Sequence, residues 1–364
     1  KYVILILKLI LIDKKYIGVY TLMKKMLLFT ITFVISSLFA NTESSSNLGA
    51  YGELHWETEK QKMDFHRFVV FLGHTWNNQW SFKSEIQLKH NVAGDSHEGA
   101  VELQKGYVNY NGNSWGFKGG VVIAPVGIIN PYHEPPTFLS VERPLYATEI
   151  IPTTWFGNGF SFYGNIGDIG LEFTMLEDLN GKEMYNSGDI RSIEYGQNKG
   201  SNASATDILG TKIISISWTG IDGLRIGGSY SMNDAPIEID SNGEAIETLG
   251  VTLVELNTIY SKNNVHTVFE YGVGDFTHTT KSWTNSGYYL DIGYNIGTVI
   301  GMDSVLIPWI RTSSYSIDNI TTDILLYGMT YKPIPSISFK VDMGTNKTGN
   351  MKNNILNIGL GYMF

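Results

Sequence analysis

The chain has no cysteine in its 364 residues. That excludes a disulfide scaffold, a cysteine zinc site and a thiol nucleophile. Charged side chains make up only 17% of the residues, against about a quarter in an ordinary soluble domain. Acids outnumber bases 35 to 26, for a net charge of −9. There is no excess of Lys and Arg from which to build a basic face, so no nucleic-acid partner is expected. Past residue 40 no apolar run reaches the roughly 20 residues that a membrane-crossing helix needs. What fills the space is 39 Gly and 46 aromatic residues (21 Tyr, 17 Phe and 8 Trp), and the mean hydropathy settles near zero at −0.06. The length suits one large barrel or two ordinary domains.

The first forty residues read as an address. Met23, Lys24 and Lys25 form a positive start, residues 26–39 an apolar core, and Ala40 a small residue at its end, the pattern of a secretory signal. Residues 1–22 are expected to be upstream read-through that is not part of the mature protein, residues 23–40 the signal peptide, and residues 41–364 the folded unit. Lys8 and the run Asp13-Lys14-Lys15 interrupt the early apolar stretch and speak against a membrane anchor over residues 2–40. Residues 1–40 carry six lysines and one aspartate, so without them 20 bases face 34 acids, net −14.

The rest of the chain is written in period two. In Trp80–Lys89, Trp80, Phe82, Ile86 and Leu88 fall on one face and Ser81, Lys83, Glu85, Gln87 and Lys89 on the other. Residues 288–296, 337–343 and 356–364 repeat the pattern. Alternation alone also fits a soluble sandwich, but three further features favour a transmembrane antiparallel β-barrel. About sixteen such segments begin near residues 48, 64, 80, 100, 115, 154, 169, 207, 224, 249, 264, 286, 305, 322, 336 and 354. An even number of strands closes a barrel without leaving an edge in lipid. Connections after strands 2, 4, 6, 8, 10 and 14 are tight, whereas residues 127–153, 179–206 and 233–248 read as long loops. Aromatic residues gather at the tight-turn ends: Trp76, Trp80, Tyr110, Trp115, Trp218, Tyr331 and Phe364.

The loop after strand 5 is Pro-rich and unusually apolar (Phe138, Leu139, Val141, Leu145, Ile150, Ile151). A long loop that must bury such residues is expected to fold into the lumen and narrow it, and its prolines lower the entropy lost on ordering. An external cap or subunit contact is the alternative. Its polar residues His133, Glu134, Glu142, Arg143 and Glu149 are the candidate constriction. Along the strands, Lys83, Glu85, Lys89, Arg225, Asp291, Arg311, Lys340 and Asp342 fall on the lumen phase and are the candidate pore lining. His133-Glu134 lacks the second histidine at helical spacing that a metal motif requires, so no metal or other cofactor is expected. No Ser and His are spaced to single out a catalytic set, so no catalytic residue is assigned and the chain is not expected to be an enzyme.

Across nearly all of residues 41–364 the sequence resembles the phosphate-selective porin O and P family of outer-membrane porins. The resemblance is carried by Gly52-Glu-Leu-His55, Asp64-Phe-His-Arg-Phe68, Trp80–Ile86, Val101-Glu-Leu-Gln104, Tyr107-Val-Asn-Tyr110, Pro125–Asn130, His133–Phe138, Val141-Glu-Arg-Pro144, Ile151–Trp155 and Gly359–Phe364. It implies a sixteen-stranded homotrimeric barrel whose third external loop enters the pore. Leu360, Tyr362 and Phe364 resemble the terminal signal by which such barrels are recognised for membrane insertion. The expectation is an outer-membrane porin of a Gram-negative-type bacterium, with lipid outside and small hydrophilic solutes or ions diffusing within. Phosphate or anion selectivity is one alternative, although the acidic balance and the lack of an arginine ladder argue against it. A plugged structural or surface-interaction barrel is another.

Overall fold

The computed structural model describes residues 44–57, 62–91, 99–188 and 209–364. The expected signal peptide, the preceding segment, and the Ser- and Asn-rich stretch 198–206 lie outside them. Sixteen strands follow one another: β1 (Ser45–Glu57), β2 (Lys62–Thr75), β3 (Trp80–Lys89), β4 (Ala100–Asn111), β5 (Trp115–Ile123), β6 (Phe156–Ile166), β7 (Ile169–Leu176) and β8 (Thr211–Ile221) in the first half. The second half holds β9 (Leu224–Ile239), β10 (Ala245–Lys262), β11 (Val265–Thr277), β12 (Ser282–Tyr294), β13 (Val305–Ile317), β14 (Ile320–Ile334), β15 (Ile337–Thr348) and β16 (Met351–Met363). Each pairs antiparallel with its neighbours, and β1 pairs with β16 to close the barrel.

The alternation places the side chains as the sequence requires. Glu85 and Gln87 of β3 are buried inward while Ile86 between them is exposed outward, and Ile292 and Tyr294 stand outside on β12. The outer surface is thus a belt of Leu, Ile, Val and aromatic residues, and the wall leaves no unpaired edge. At the tight-turn end Trp80, Tyr110 and Trp115 pack in sequence as tilted pairs, with ring centroids 5.0 Å apart at each step.

Loop lengths differ between the halves. Residues 124–155 and 177–210 are long, but 278–281, 318–319 and 349–350, on the same end of the barrel, are tight turns. The expected long loop 233–248 is corrected: β9 and β10 run on through it to a turn at residues 240–244. Their extension has a partner. Helix α2 (Gly181–Ser187), in the loop after β7, packs its buried Met184 against the inner face that includes Ala235 and Leu249. Asn180 caps that helix by accepting from the Glu183 amide at 3.2 Å.

Loop 124–155 folds inside the barrel, as expected. It contains a 3-10 turn, Pro135–Thr137, which contacts β1, β15 and β16, and the short helix α1 (Tyr146–Glu149), which contacts β12 and β13. Its Val126, Ile128, Ile129, Ile150, Ile151 and Trp155 form one apolar cluster with Met184 and with wall residues Ile213, Leu253, Phe276 and Tyr289. The main core therefore lies within the barrel. Glycines make room for it on the wall. A side chain at Gly359 would meet Val141 at 2.8 Å, one at Gly361 would meet Pro135 at 2.7 Å, and one at Gly293 would meet Leu139 at 3.1 Å.

Candidate functional site

A loop with so little regular structure has many peptide groups to satisfy, and buried ones are costly to leave unpaired. Asn130 closes the loop's neck: its side chain donates to the carbonyls of Ala124 (2.7 Å) and Trp155 (3.1 Å) and accepts from the Trp155 amide (2.6 Å). Beyond the neck, the partners come from the wall. Arg67 donates to the His133 carbonyl, Lys332 to Pro136 at 2.6 Å, Thr330 to Leu139 at 2.5 Å, and Lys340 to both Pro135 (2.7 Å) and Ser140 (2.8 Å). In the other direction, the Val141 amide donates to Asp342 at 3.2 Å and the Ile128 amide to Glu270 at 3.3 Å.

This arrangement divides the expected site residues. Glu142 and Arg143 line a cavity of about 400 Å³ on the long-loop side of the inserted loop, together with Glu53, His55, Phe138 and Thr148. Glu142 is half-buried and its carboxylate lies 2.5 Å from His55 Nδ1. His133 does not face an opening. It is fully buried, with Nδ1 2.8 Å from the Asn130 carbonyl and Nε2 3.5 Å from Glu85, because its ring fills the space beside Tyr51. Glu134 and Glu149 are half-buried on the loop and border neither large cavity.

The expected lining divides in the same way. Lys83 and Arg225 line a second cavity, about 530 Å³, at the tight-turn end. Lys89 is half-buried and pairs with Glu102 at 3.2 Å, whereas Glu85 is buried and pairs with Lys105 at 2.7 Å. Asp291, Arg311, Lys340 and Asp342 face inward and are almost wholly buried, although Arg311 and Asp342 border the outer cavity and Asp291 a smaller one beside Phe138. Arg311 grips Asp291 with two hydrogen bonds of 2.6 Å, and Lys340 and Asp342 hold the loop's backbone.

The two large cavities share no residue, and the loop lies between them. A third, about 240 Å³, touches both: it shares Phe138 with the outer cavity and Tyr132 and Arg225 with the inner one. Phe138 is almost wholly buried, and its ring covers Lys340 Nζ at 3.9 Å. The inner cavity also holds Lys105 and Lys118, with Tyr107, Tyr163, Glu172 and Glu255. Lys118 pairs with Glu172 at 2.7 Å.

Sequence reading had not marked Arg67, Asn130, Phe138, Lys105 or Lys332 as part of the site. For Asn130 the only signal was its place at the end of the Pro125–Asn130 motif. For Lys105 there was none, because a bulge against β3 at Glu85 and Ile86 turns it inward out of phase.

No family model matches the chain. It is 26% identical over 359 residues to a protein of Aquifex aeolicus (strain VF5) described as uncharacterized, an alignment covering 87% of this chain and 80% of that protein. Among solved structures, an anion-selective porin from Comamonas acidovorans superposes with a TM-score of 0.61 at 9% identity, covering 88% of this chain and all of the other. A loop-deletion mutant of OmpT, an outer membrane protein of Vibrio cholerae, gives 0.59 at 10%, covering 89% and 100%. OmpF of Salmonella typhi, solved with daunomycin, gives 0.59 at 12%, covering 88% and 97%. At these identities the likeness is one of fold: the chain is a closed sixteen-stranded antiparallel barrel of the porin type.

Proposed function

We propose that the chain is an outer-membrane porin of a Gram-negative-type bacterium, through which small hydrophilic solutes and ions diffuse passively with no chemical step. The observation that carries this reading is the pair of cavities, each with charged residues in its lining, on either side of a loop held inside a closed barrel with an apolar exterior. A bilayer accepts such an exterior, and a wet lumen accepts such cavities. The shared walls support a route past Glu142 and Arg143, around Phe138, then by Tyr132 and Arg225 to Lys83. Residues 23–40 would direct export, and Leu360, Tyr362 and Phe364, on the outward phase of β16, would mark the barrel for insertion. A homotrimer is the assembly this reading favours.

Planar-bilayer recording tests it. The folded barrel is expected to give stepwise ion conductance, and Phe138→Ala to raise it by removing the ring between the outer and third cavities. A folded barrel with no conducting steps, and no swelling of solute-loaded liposomes, overturns the porin reading in favour of a plugged structural barrel.

The inner cavity supports a second reading, preference for anions. Lys83, Lys105, Lys118 and Arg225 line it against Glu172 and Glu255, and charge at a narrow lining tunes ion preference. Reversal potentials in a salt gradient decide it. A potential on the cation side removes the anion reading, and chloride current that phosphate fails to block removes the phosphate-specific form.

A further inference from the structure

The outer cavity has a lining of two kinds. On the wall, strand pairing sets inward residues side by side: Ile324, Asn346 and Asn353 stand at one level, and Leu326, Gly344 and Ile355 at the next. Asp342 and Asn357 face each other one level further on. Gly344 adds no side chain, so Ile324, Leu326 and Ile355 form a shallow apolar patch framed by amides, and Leu145 of the inserted loop packs against it. The amides are idle. Among the described residues the side chains of Asn346, Asn353 and Asn357 have no hydrogen-bond partner, whereas Asn233 and Asn257, inward on β9 and β10, bond to Asp178 and to Arg225. Each idle amide offers one acceptor and two donors.

The charges around them are mostly matched already. Glu53 pairs with Arg67 at 2.5 Å, Arg311 with Asp291 at 2.6 Å, and Glu142 with His55 at 2.5 Å. Asp342 takes the Val141 amide at 3.2 Å. Arg143 has no carboxylate partner among the described residues, and Glu142 beside it keeps a side chain 37% exposed. An anion in this cavity meets Glu142 and Asp342, and a cation meets Arg143 and Arg311, so a full charge loses at one wall what it gains at another. A hydroxyl group donates and accepts at once. It suits a lining in which amides, a guanidinium and a carboxylate stand together.

We propose that the outer cavity is a binding site for a neutral sugar the size of a disaccharide. Its C–H face rests on Ile324, Leu326 and Ile355, and its hydroxyls bond to the three asparagines, Glu142 and Arg143. An apolar surface with a few placed polar groups is the usual make-up of a small-molecule site, and the cavity's volume of about 400 Å³ lies in the usual range. Asn353 and Asn357, four residues apart on one face of β16, span about 13 Å, the length of a disaccharide. The proposal rests on the porin reading, since it names the class of solute that pauses on the route. Each bond to the sugar replaces one to water, so binding is weak. A solute that must leave again requires that.

Calorimetric titration of the folded barrel in detergent tests the site, with maltose, lactose, sucrose and trehalose as probes and sodium phosphate and sodium glutamate as charged controls. At least one disaccharide is expected to bind saturably, at one per chain and more tightly than either control. Asn346→Ala/Asn353→Ala should weaken that binding about 10-fold through the lost hydrogen bonds. Asn346 is half-buried and Asn353 exposed, so the barrel is expected to fold without their amides. No saturable binding of any of the four sugars at tens of millimolar overturns the proposal. So does undiminished binding by the folded double variant, or tighter binding of phosphate or glutamate than of every sugar. Calorimetry needs no conduction, which keeps the two readings apart. A barrel that conducts but binds no sugar removes this proposal alone, and one that binds sugar without conducting removes the porin reading and leaves the site.

Discussion

In the barrel wall nearly every peptide group finds its partner in the next strand, whereas in loop 124–155 many find theirs in side chains that reach in from the wall. The wall is stabilised by repetition and the loop by particular residues. A charge on the lumen phase can therefore do either of two jobs, and what decides is whether the loop lies over it. Lys83, clear of the loop, is exposed to the inner cavity. Lys340, under the loop, is buried and donates to two of its carbonyls.

The largest test of that contrast is at Arg311. Its two bonds to Asp291 are buried, and its guanidinium lies 5.5 Å and 5.7 Å from the Tyr289 and Trp309 rings. Arg311→Met leaves Asp291 as an uncompensated buried charge, a loss of about 3–5 kcal/mol. Urea unfolding of the detergent-folded barrel measures it. Lys83→Met at the open end should change stability by no more than about 0.5 kcal/mol. Equal losses from the two would remove the distinction between a buried lumen charge and an open one.

A smaller effect should follow from crowding the wall where the loop rests on it. Gly361 leaves Pro135 the space that a Cβ would take at 2.7 Å. Gly361→Val is expected to cost about 1–3 kcal/mol as overpacking, and to lift the 3-10 turn from the wall. Single-channel recording should then show a larger or more variable conductance. Ile358→Ala, on the outward face of the same strand, should leave conductance unchanged.

Much of this was legible in the sequence, and the parts that were not have a common cause. The expected strand starts lie within four residues of the observed ones throughout, for instance 48 against Ser45, 249 against Ala245 and 286 against Ser282, because alternation and turn residues are local signals. The phase of a strand is local only until a bulge. Register shifts occur between β1 and β2, β3 and β4, and β9 and β10, and these hid the inward turn of Lys105 and the role of Arg67. His133 was misplaced for a different reason. Whether a loop residue faces water depends on the wall residue opposite, here Glu85 and Tyr51, which lie about fifty and eighty residues earlier in the chain. The extension of β9 and β10 through 233–248 likewise depends on α2, an element no local pattern connects to them.

The finest test concerns Glu142, the loop residue nearest to both roles, since it lines the outer cavity and is tethered to the wall by His55. Burial works against its charge, but the His55 imidazole beside it outweighs burial and holds the carboxyl below its ordinary value of 4.5. A carboxyl depressed in this way stabilises the folded arrangement from neutral pH down to 4.5 and, on the acid side, loses that contribution only as pH falls through its lowered value. The tether should therefore survive from neutral pH down past 4.5 and weaken below it. Its worth is under about 1 kcal/mol, because the group is half-exposed and solvent screens it. Current noise in single-channel records follows such loosening. It should stay low in the unmodified barrel until the pH drops below that range, and be raised at pH 6 in Glu142→Gln. Equal noise in the two at pH 6 would mean that the Pro135, Pro136 and Ser140 contacts alone hold the loop, and that Glu142 belongs with Lys83 among the lining residues.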